Sequence, residues 1–342
     1  MKKILGVFLV GGVLIVSGVI TWLTRPTAPS LSVNSAVQRG LAYLAAVYTP
    51  YHYPDTYLEY VYPGEALTCP LEGCAITYRI LDAFFDVRFL ENELEDAETI
   101  RVQITDAEKT FSAILPEWRA TNPYNTIIGK GKAGFALDTT CIIGYVEDDD
   151  MIADHVADFL TSDGNWLKQD EYPVDRWRNI ADETWCIRLF ARTGRLRDRQ
   201  QSLIQEKIRE TDAFLVDTDR VEDRIAVLFH MLYLLADQSS PEYAETLDRY
   251  AKNLAALARD PVIAGNTFTQ ANILDALARV RYDDQALLHL LAKEILSRQR
   301  DDGSWARAAG STEYPVFTTF RATIALNKYD RLRRGVPVEK PE

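Results

Sequence analysis

Histidine, methionine and cysteine are scarce in this chain: 342 residues hold four His, three Met and four Cys. His52, His155, His230 and His289 stand singly, and none lies at zinc-ligand spacing from a cysteine pair. No metal centre and no cofactor are therefore expected. Seventeen glycines and fourteen prolines are too few for a fibrous or low-complexity chain. An excess of positive charge is absent as well. The formal net charge of −12 disfavours nucleic acid and anionic lipid surfaces as partners. Strand-like alternation is scarce throughout, which leaves an all-α reading.

Long hydrophobic runs are absent after Leu23, and before it there is one. Residues 4–23 carry no charge, follow Lys2 and Lys3, and end near Trp22. A helix of that length spans about 30 Å, the thickness of a bilayer core. The run is longer than a signal-peptide core, and Thr24–Thr27 is a poor cleavage site. Residues 1–24 thus read as a transmembrane anchor. The Lys pair places the N-terminus in the cytoplasm and the remainder on the outer face of the cell membrane. Residues 25–34, rich in Pro, Ser and Thr, read as a tether. Residues 35–335 form the folded domain and 336–342 a C-terminal tail.

From Ser35 onward, apolar residues recur at helical spacing in twelve segments that fall into pairs. The pairs are 35–48 with 74–91, 104–120 with 138–147, and 150–162 with 177–193. They continue as 196–215 with 219–237, 241–259 with 269–281, and 284–300 with 316–331. The period of roughly 40–50 residues marks a repeat architecture. First helices are amphipathic and charged. Second helices carry denser apolar runs such as 225–235, and a helix apolar nearly all round is buried. Six buried helices inside six amphipathic ones describe an (α/α)6 toroid of six helix hairpins. An open solenoid is the structural alternative.

The sixth pair is joined by Gln299, Asp302, Gly303 and Trp305, followed by a polar turn and a Thr-initiated apolar helix. This resembles the QW-type repeat of the terpenoid cyclase and protein prenyltransferase α/α-toroid superfamily. Ser162-Asp163-Gly164-Asn165-Trp166 is similar but lacks the Gln, and Leu115-Pro116-Glu117-Trp118 is a remnant. The resemblance implies the toroid; its catalytic motifs are missing. Cyclases of the squalene-hopene type use D-x-D-D-T-A. The nearest match, Ala136 to Cys141, keeps Asp138 and one Thr. No His accompanies Asp138 and Cys141 as prenyltransferase zinc chemistry requires, and no D-D-x-x-D occurs. In the motif itself Gly303 serves the reversal and Trp305 covers the turn, its indole N–H free to reach a backbone acceptor.

In a toroid the second helices run parallel, so their N-termini converge on one mouth. Asp138, Asp182, Glu183 and Asp223 are the candidate catalytic carboxylates there. Thr139, Trp185, Gln270, Asn272, Thr319 and Arg321 are the candidate ligand-binding groups. Each Asp is also a natural helix cap. Paired carboxylates beside an aromatic would suit glycoside hydrolysis. An aromatic, acid-poor lining would suit an isoprenoid, and a plugged centre a scaffold. His230, inside an apolar run, reads as a core residue, and the acidic run 147–150 as a solvated turn. The tyrosine-rich segment 48–62 suits either recognition or a cover for one end of the ring.

Aligning pairs two and three sets Cys141 over Cys186. Equivalent positions on neighbouring parallel helices sit at one height, so a Cys141–Cys186 disulfide is expected, with Cys69–Cys74 as a local second loop. The function expected is a membrane-anchored protein holding a lipid-linked, polyprenyl or glycan ligand, or acting as a scaffold. A carbohydrate-active hydrolase or lyase is the alternative, and a cyclase-like enzyme the least favoured.

Overall fold

The computed structural model describes residues 32–48, 90, 93–94, 97–103, 105, 141–142, 144–157, 176–238, 240–308, 310–311 and 315–338. Among these there is no strand; one isolated bridge joins Asn266 and Ala308. The regular structure of the described residues is all-helical. Helix α1 is Val33–Val47. Four hairpins follow: α2 (Asp150–Ala157) with α3 (Arg176–Thr193), α4 (Arg197–Asp217) with α5 (Val221–Gln238), α6 (Ala244–Leu257) with α7 (Thr267–Arg279), and α8 (Gln285–Ser297) with α9 (Pro315–Arg333).

The two members of a hairpin bury their surfaces differently. Helix α6 hides Tyr250, Ala251, Leu254 and Ala255 on one side and leaves Asp248, Arg249 and Lys252 in solvent. Helix α7 is buried on nearly every side, from Thr269 to Arg279 with Asn272 half-buried. Each fully buried Leu or Ile contributes about 1.5–3 kcal/mol. Such a helix is held by neighbours all round rather than by its own propensity. The second helices α3, α5, α7 and α9 accordingly pack side by side in that order, with the first helices α4, α6 and α8 against them. Helix α1 packs on α9.

Chain ends of the helices follow local chemistry. Asn266 accepts a hydrogen bond from the Thr269 N–H at 3.1 Å, and Asp284 one from the Leu287 N–H at 2.9 Å. The acidic turn 147–150 is partly engaged: Asp149 accepts from the N–H groups of Met151 and Ile152, and Asp150 lies 3.6 Å from Arg195. Two boundaries differ from expectation. The helix expected from 241 opens with a 3-10 turn, Pro241–Tyr243, and the helix expected to run to 300 ends at Ser297. Its last residues are drawn into the turn that follows.

That turn joins the two ends of the described fold. Gln299 Nε2 donates to Gly303 O at 2.9 Å and to Ala36 O of α1 at 2.8 Å. Arg39 of α1 donates to Arg300 O at 2.6 Å and Asp301 O at 2.9 Å. Gly303 has φ +91°, and a Cβ there would stand 2.4 Å from Arg39 O. Trp305 is fully buried; its indole donates to Ile295 O at 2.8 Å, and its backbone N–H donates to Thr319 Oγ1 at 3.0 Å. Gly40 completes the contact, since a Cβ there would meet Thr323 Oγ1 at 2.6 Å and Trp305 at 2.9 Å.

The expected Cys141–Cys186 disulfide is present, with a Cα–Cα distance of 4.8 Å. It ties the helical residues around 141 to α3. Cys69 and Cys74 lie outside the described residues. The expected single-pass placement in the cell membrane is corrected. Among the described residues no helix is long and apolar enough to cross a membrane, and the run 4–23 on which that expectation rested lies outside them.

Candidate functional site

One face of each of the second helices α5, α7 and α9 follows a common register. On α5 it carries Ala226, His230, Tyr233 and Asp237; on α7, Phe268, Asn272, Asp275 and Arg279; on α9, Phe317, Arg321, Ile324 and Lys328. Spacings of four, three and four residues keep these groups in line. Contacts between helices match the register. Phe268 stacks on Phe317 with centroids 4.8 Å apart near the helix starts. Asp275 and Arg279 meet Tyr233, Asp237 and Lys328 near the helix ends. Like positions meet like positions, so α5, α7 and α9 run parallel.

The deeper layers form a buried charge network. Lys328 is fully buried; its Nζ lies 2.8 Å from Asp275 Oδ1 and 2.5 Å from both Glu93 Oε2 and the Tyr233 hydroxyl. The Tyr233 hydroxyl donates to the Asp275 carboxylate at 2.7 Å. Asp237 accepts from Arg188 at 2.5 Å and is also paired with Arg279. Three cations thus face three carboxylates. Burial pushes the Asp237 and Glu93 carboxyls upward, but Arg188 for the first and Lys328 for the second outweigh it and hold both below the usual range. Burial and Asp275 push the Tyr233 phenol well above its usual value, so it stays a donor.

The upper layers are aromatic. Arg321 is half-buried, its guanidinium 5.3 Å from the Phe229 ring and 5.9 Å from Phe317. His230, also half-buried, meets Phe229 edge-on at 5.1 Å and Trp185 at 6.4 Å. Trp185 in turn meets Tyr145 at 5.8 Å, with Arg188 lying 3.9 Å over its ring. Burial, with Arg321 and Arg188 nearby, lowers His230 to about 3, so the imidazole is neutral at physiological pH. The Asn272 Oδ1 is buried and has no hydrogen-bond partner among the described residues. The run Trp185–His230–Phe229–Arg321–Phe317–Phe268 crosses four second helices.

The groups picked from the sequence divide between this face and others. Trp185 and Arg321 are in the aromatic run, and Asn272 shares their face of α7. Glu183 instead meets Lys207 of α4, which also pairs with Glu210. Burial pushes the Glu183 carboxyl up to about 7, against the pull of Lys207. Asp223 pairs with Arg220 at 3.2 Å, and Asp182 is buried. Gln270 donates to Glu294 at 2.6 Å and accepts from Arg298, both of the α8 side. Thr319 is taken up by Trp305 and by Pro315 O at 2.6 Å. Asp138 and Thr139 lie outside the described residues. Phe229, Phe268, Phe317 and the charge network were not picked from the sequence. The signal was present in the four-three-four register, with Asp275 and Lys328 set inside apolar runs.

Among the described residues no group of three or more His, Cys, Asp or Glu is arranged to hold a metal ion. No family model and no curated protein matches the chain. Solved structures do. The apo type II terpene cyclase MstE from Scytonema is 13% identical, with a TM-score of 0.54, covering 88% of this chain and 98% of that one. A variant of MstE in complex with its substrate, geranylgeranyl dihydroxybenzoate, is 14% identical, with a TM-score of 0.45 and the same coverage. At this identity the first likeness establishes a terpenoid cyclase-like helical fold.

Proposed function

We propose that residues 35–335 close into an (α/α)6 toroid whose second helices surround a pocket for an apolar, isoprenoid-type ligand, and that the protein binds this ligand without cyclising it. The packing of α1 on α9 through the Trp305 turn supports the closed ring over the open solenoid. The observation that carries the ligand reading is the aromatic run from Trp185 to Phe268, on faces whose half-buried members are Arg321, His230, Asn272 and Phe268. Ligand sites of this kind are mostly apolar, with a few placed polar groups. Glycoside hydrolysis draws less support. Two of its candidate acids, Glu183 and Asp223, are engaged by Lys207 and Arg220.

The test is native mass spectrometry of the purified full chain with geranylgeraniol, the alcohol of the chain that MstE's substrate carries. Wild type should retain one equivalent, and Phe268→Ala with Phe317→Ala should lose it. No retention by folded wild type would overturn the reading. Turnover of the prenyl chain that Asp138→Asn abolishes would replace binding with catalysis.

A further inference from the structure

Exposure along the aligned faces of α5, α7 and α9 falls in a step. In the first layer Ala226 and Phe268 are half-buried, and Phe317, 7% exposed, is stacked on Phe268. In the second, His230, Asn272 and Arg321 are all half-buried. In the third, Tyr233, Asp275 and Ile324 are 1%, 0% and 1% exposed. A single turn of helix separates partly open groups from closed packing.

The third layer is closed for a chemical reason. The Tyr233 hydroxyl of α5 donates to the Asp275 carboxylate of α7 at 2.7 Å. Lys328 of α9 reaches the same carboxylate at 2.8 Å from the layer beneath, and Glu93 at 2.5 Å. Below them Asp237 answers Arg188 and Arg279. The charges are matched, so this layer draws neither an anion nor a cation. A guest that pushed past it would part ion pairs in a dry interior and strand a charge there. An apolar chain offers nothing in exchange. On α9 the branched Ile324 fills the same level.

The depth above this layer follows from the helix rise. Asp275 is seven residues beyond Phe268 on α7, which at 1.5 Å per residue is about 10 Å. An extended isoprene unit has four carbon–carbon bonds of about 1.5 Å in a zigzag and advances about 5 Å. We propose that Tyr233, Asp275 and Ile324 form the floor of the pocket and limit its guest to a chain of about two isoprene units, or ten carbons. The inference rests on the pocket reading above. A longer chain enters by its first ten carbons or so and leaves the remainder outside the mouth. Lys328 and Glu93 touch no guest; they hold the floor in place.

The experiment measures binding of prenol, geraniol, farnesol and geranylgeraniol to the purified full chain by intrinsic tryptophan fluorescence. These alcohols carry one to four isoprene units. Each buried methylene tightens binding by about fourfold, so geraniol should bind at least about tenfold more tightly than prenol. Farnesol and geranylgeraniol should then stay within about threefold of geraniol. Ile324→Ala, checked for folding by its melting curve, lowers the floor on α9. It should tighten farnesol by about threefold or more and leave prenol unchanged. Wild-type affinity that climbs about tenfold again from geraniol to farnesol overturns the floor and leaves the pocket standing. A plateau that folded Ile324→Ala does not move overturns the assignment to this layer. If Ile324→Ala does not fold, the wild-type series alone decides. Binding of none of the four alcohols refutes the pocket, and the floor with it.

Discussion

Replacing Lys328 with methionine removes a charge and keeps nearly the same volume. Lys328 is fully buried and neutralises Asp275, also fully buried, and Glu93, 8% exposed by side chain. Two carboxylates would then lie in the interior, with Arg279 and Arg188 as the cations left. Breaking a buried pair from one side costs about 3–5 kcal/mol. Spread over a domain of this size, each kcal/mol moves the melting temperature by about 2 °C, so a fall of roughly 6–10 °C is expected. The pH dependence tests the cause. Glu93 is held below its ordinary value when paired, so its contribution is present above that value and lost as pH falls. Without Lys328 its carboxyl rises and takes up a proton more readily. The gap between wild type and Lys328→Met should therefore narrow from pH 7 to pH 4. Adding Asp275→Leu should recover part of the loss. Calorimetric scans at several pH values are the assay. A melting temperature within about 1 °C of wild type at pH 7 would refute the network's role, and a gap that widens in acid would refute its electrostatic origin.

Gly40→Ala raises helix propensity by up to about 1 kcal/mol in an open helix; here the new methyl meets Thr323 and Trp305, so denaturant titration should show a net loss of about 1–3 kcal/mol instead. Reducing Cys141–Cys186, which closes a 45-residue separation, should lower stability by about 4 kcal/mol on the chain-entropy model, measured by urea unfolding with and without reductant. Glu183 has a folded value raised to about 7 from 4.5, so its contribution is full below 4.5 and fades as pH rises through 7. Lys207, raised above 10.5 by Glu183 and Glu210 against its burial, loses its share only in alkali. Stability should hence decline between pH 4.5 and 7, and Glu183→Gln should flatten that slope in melting scans.

Much of the helical framework was legible because its signals are local. Dense runs such as 225–235 mark second helices, and Gly303-Ser304-Trp305 marks the reversal; the caps at Asn266 and Asp284 emerged only from the structure. The disulfide followed from equivalence of Cys141 and Cys186. The candidate site was less legible, for a geometric reason. A place near a helix start does not fix which way a side chain faces, because successive residues turn by about 100°. Gln270 and Asn272 are two residues apart and so face nearly opposite ways; Gln270 meets α8. Thr319 and Arg321 differ likewise, and Thr319 goes to Trp305. Glu183 turns from Trp185 toward Lys207. The charge network was harder still. Its partners lie far apart in sequence, as Lys328 and Glu93 do, and neither residue alone indicates the other.

The bonds from Gln299 to Ala36 and from Arg39 to Arg300 join residues separated by 263 and 261 positions. A ribosome adds roughly 5–20 residues each second. Helix α1 therefore emerges some tens of seconds before the turn that covers it exists. Through that interval Val37, Leu41 and Leu44, all buried in the finished fold, have no Trp305 turn or α9 to pack against. A release of synthesis short of residue 305 would leave α1 permanently without its seat.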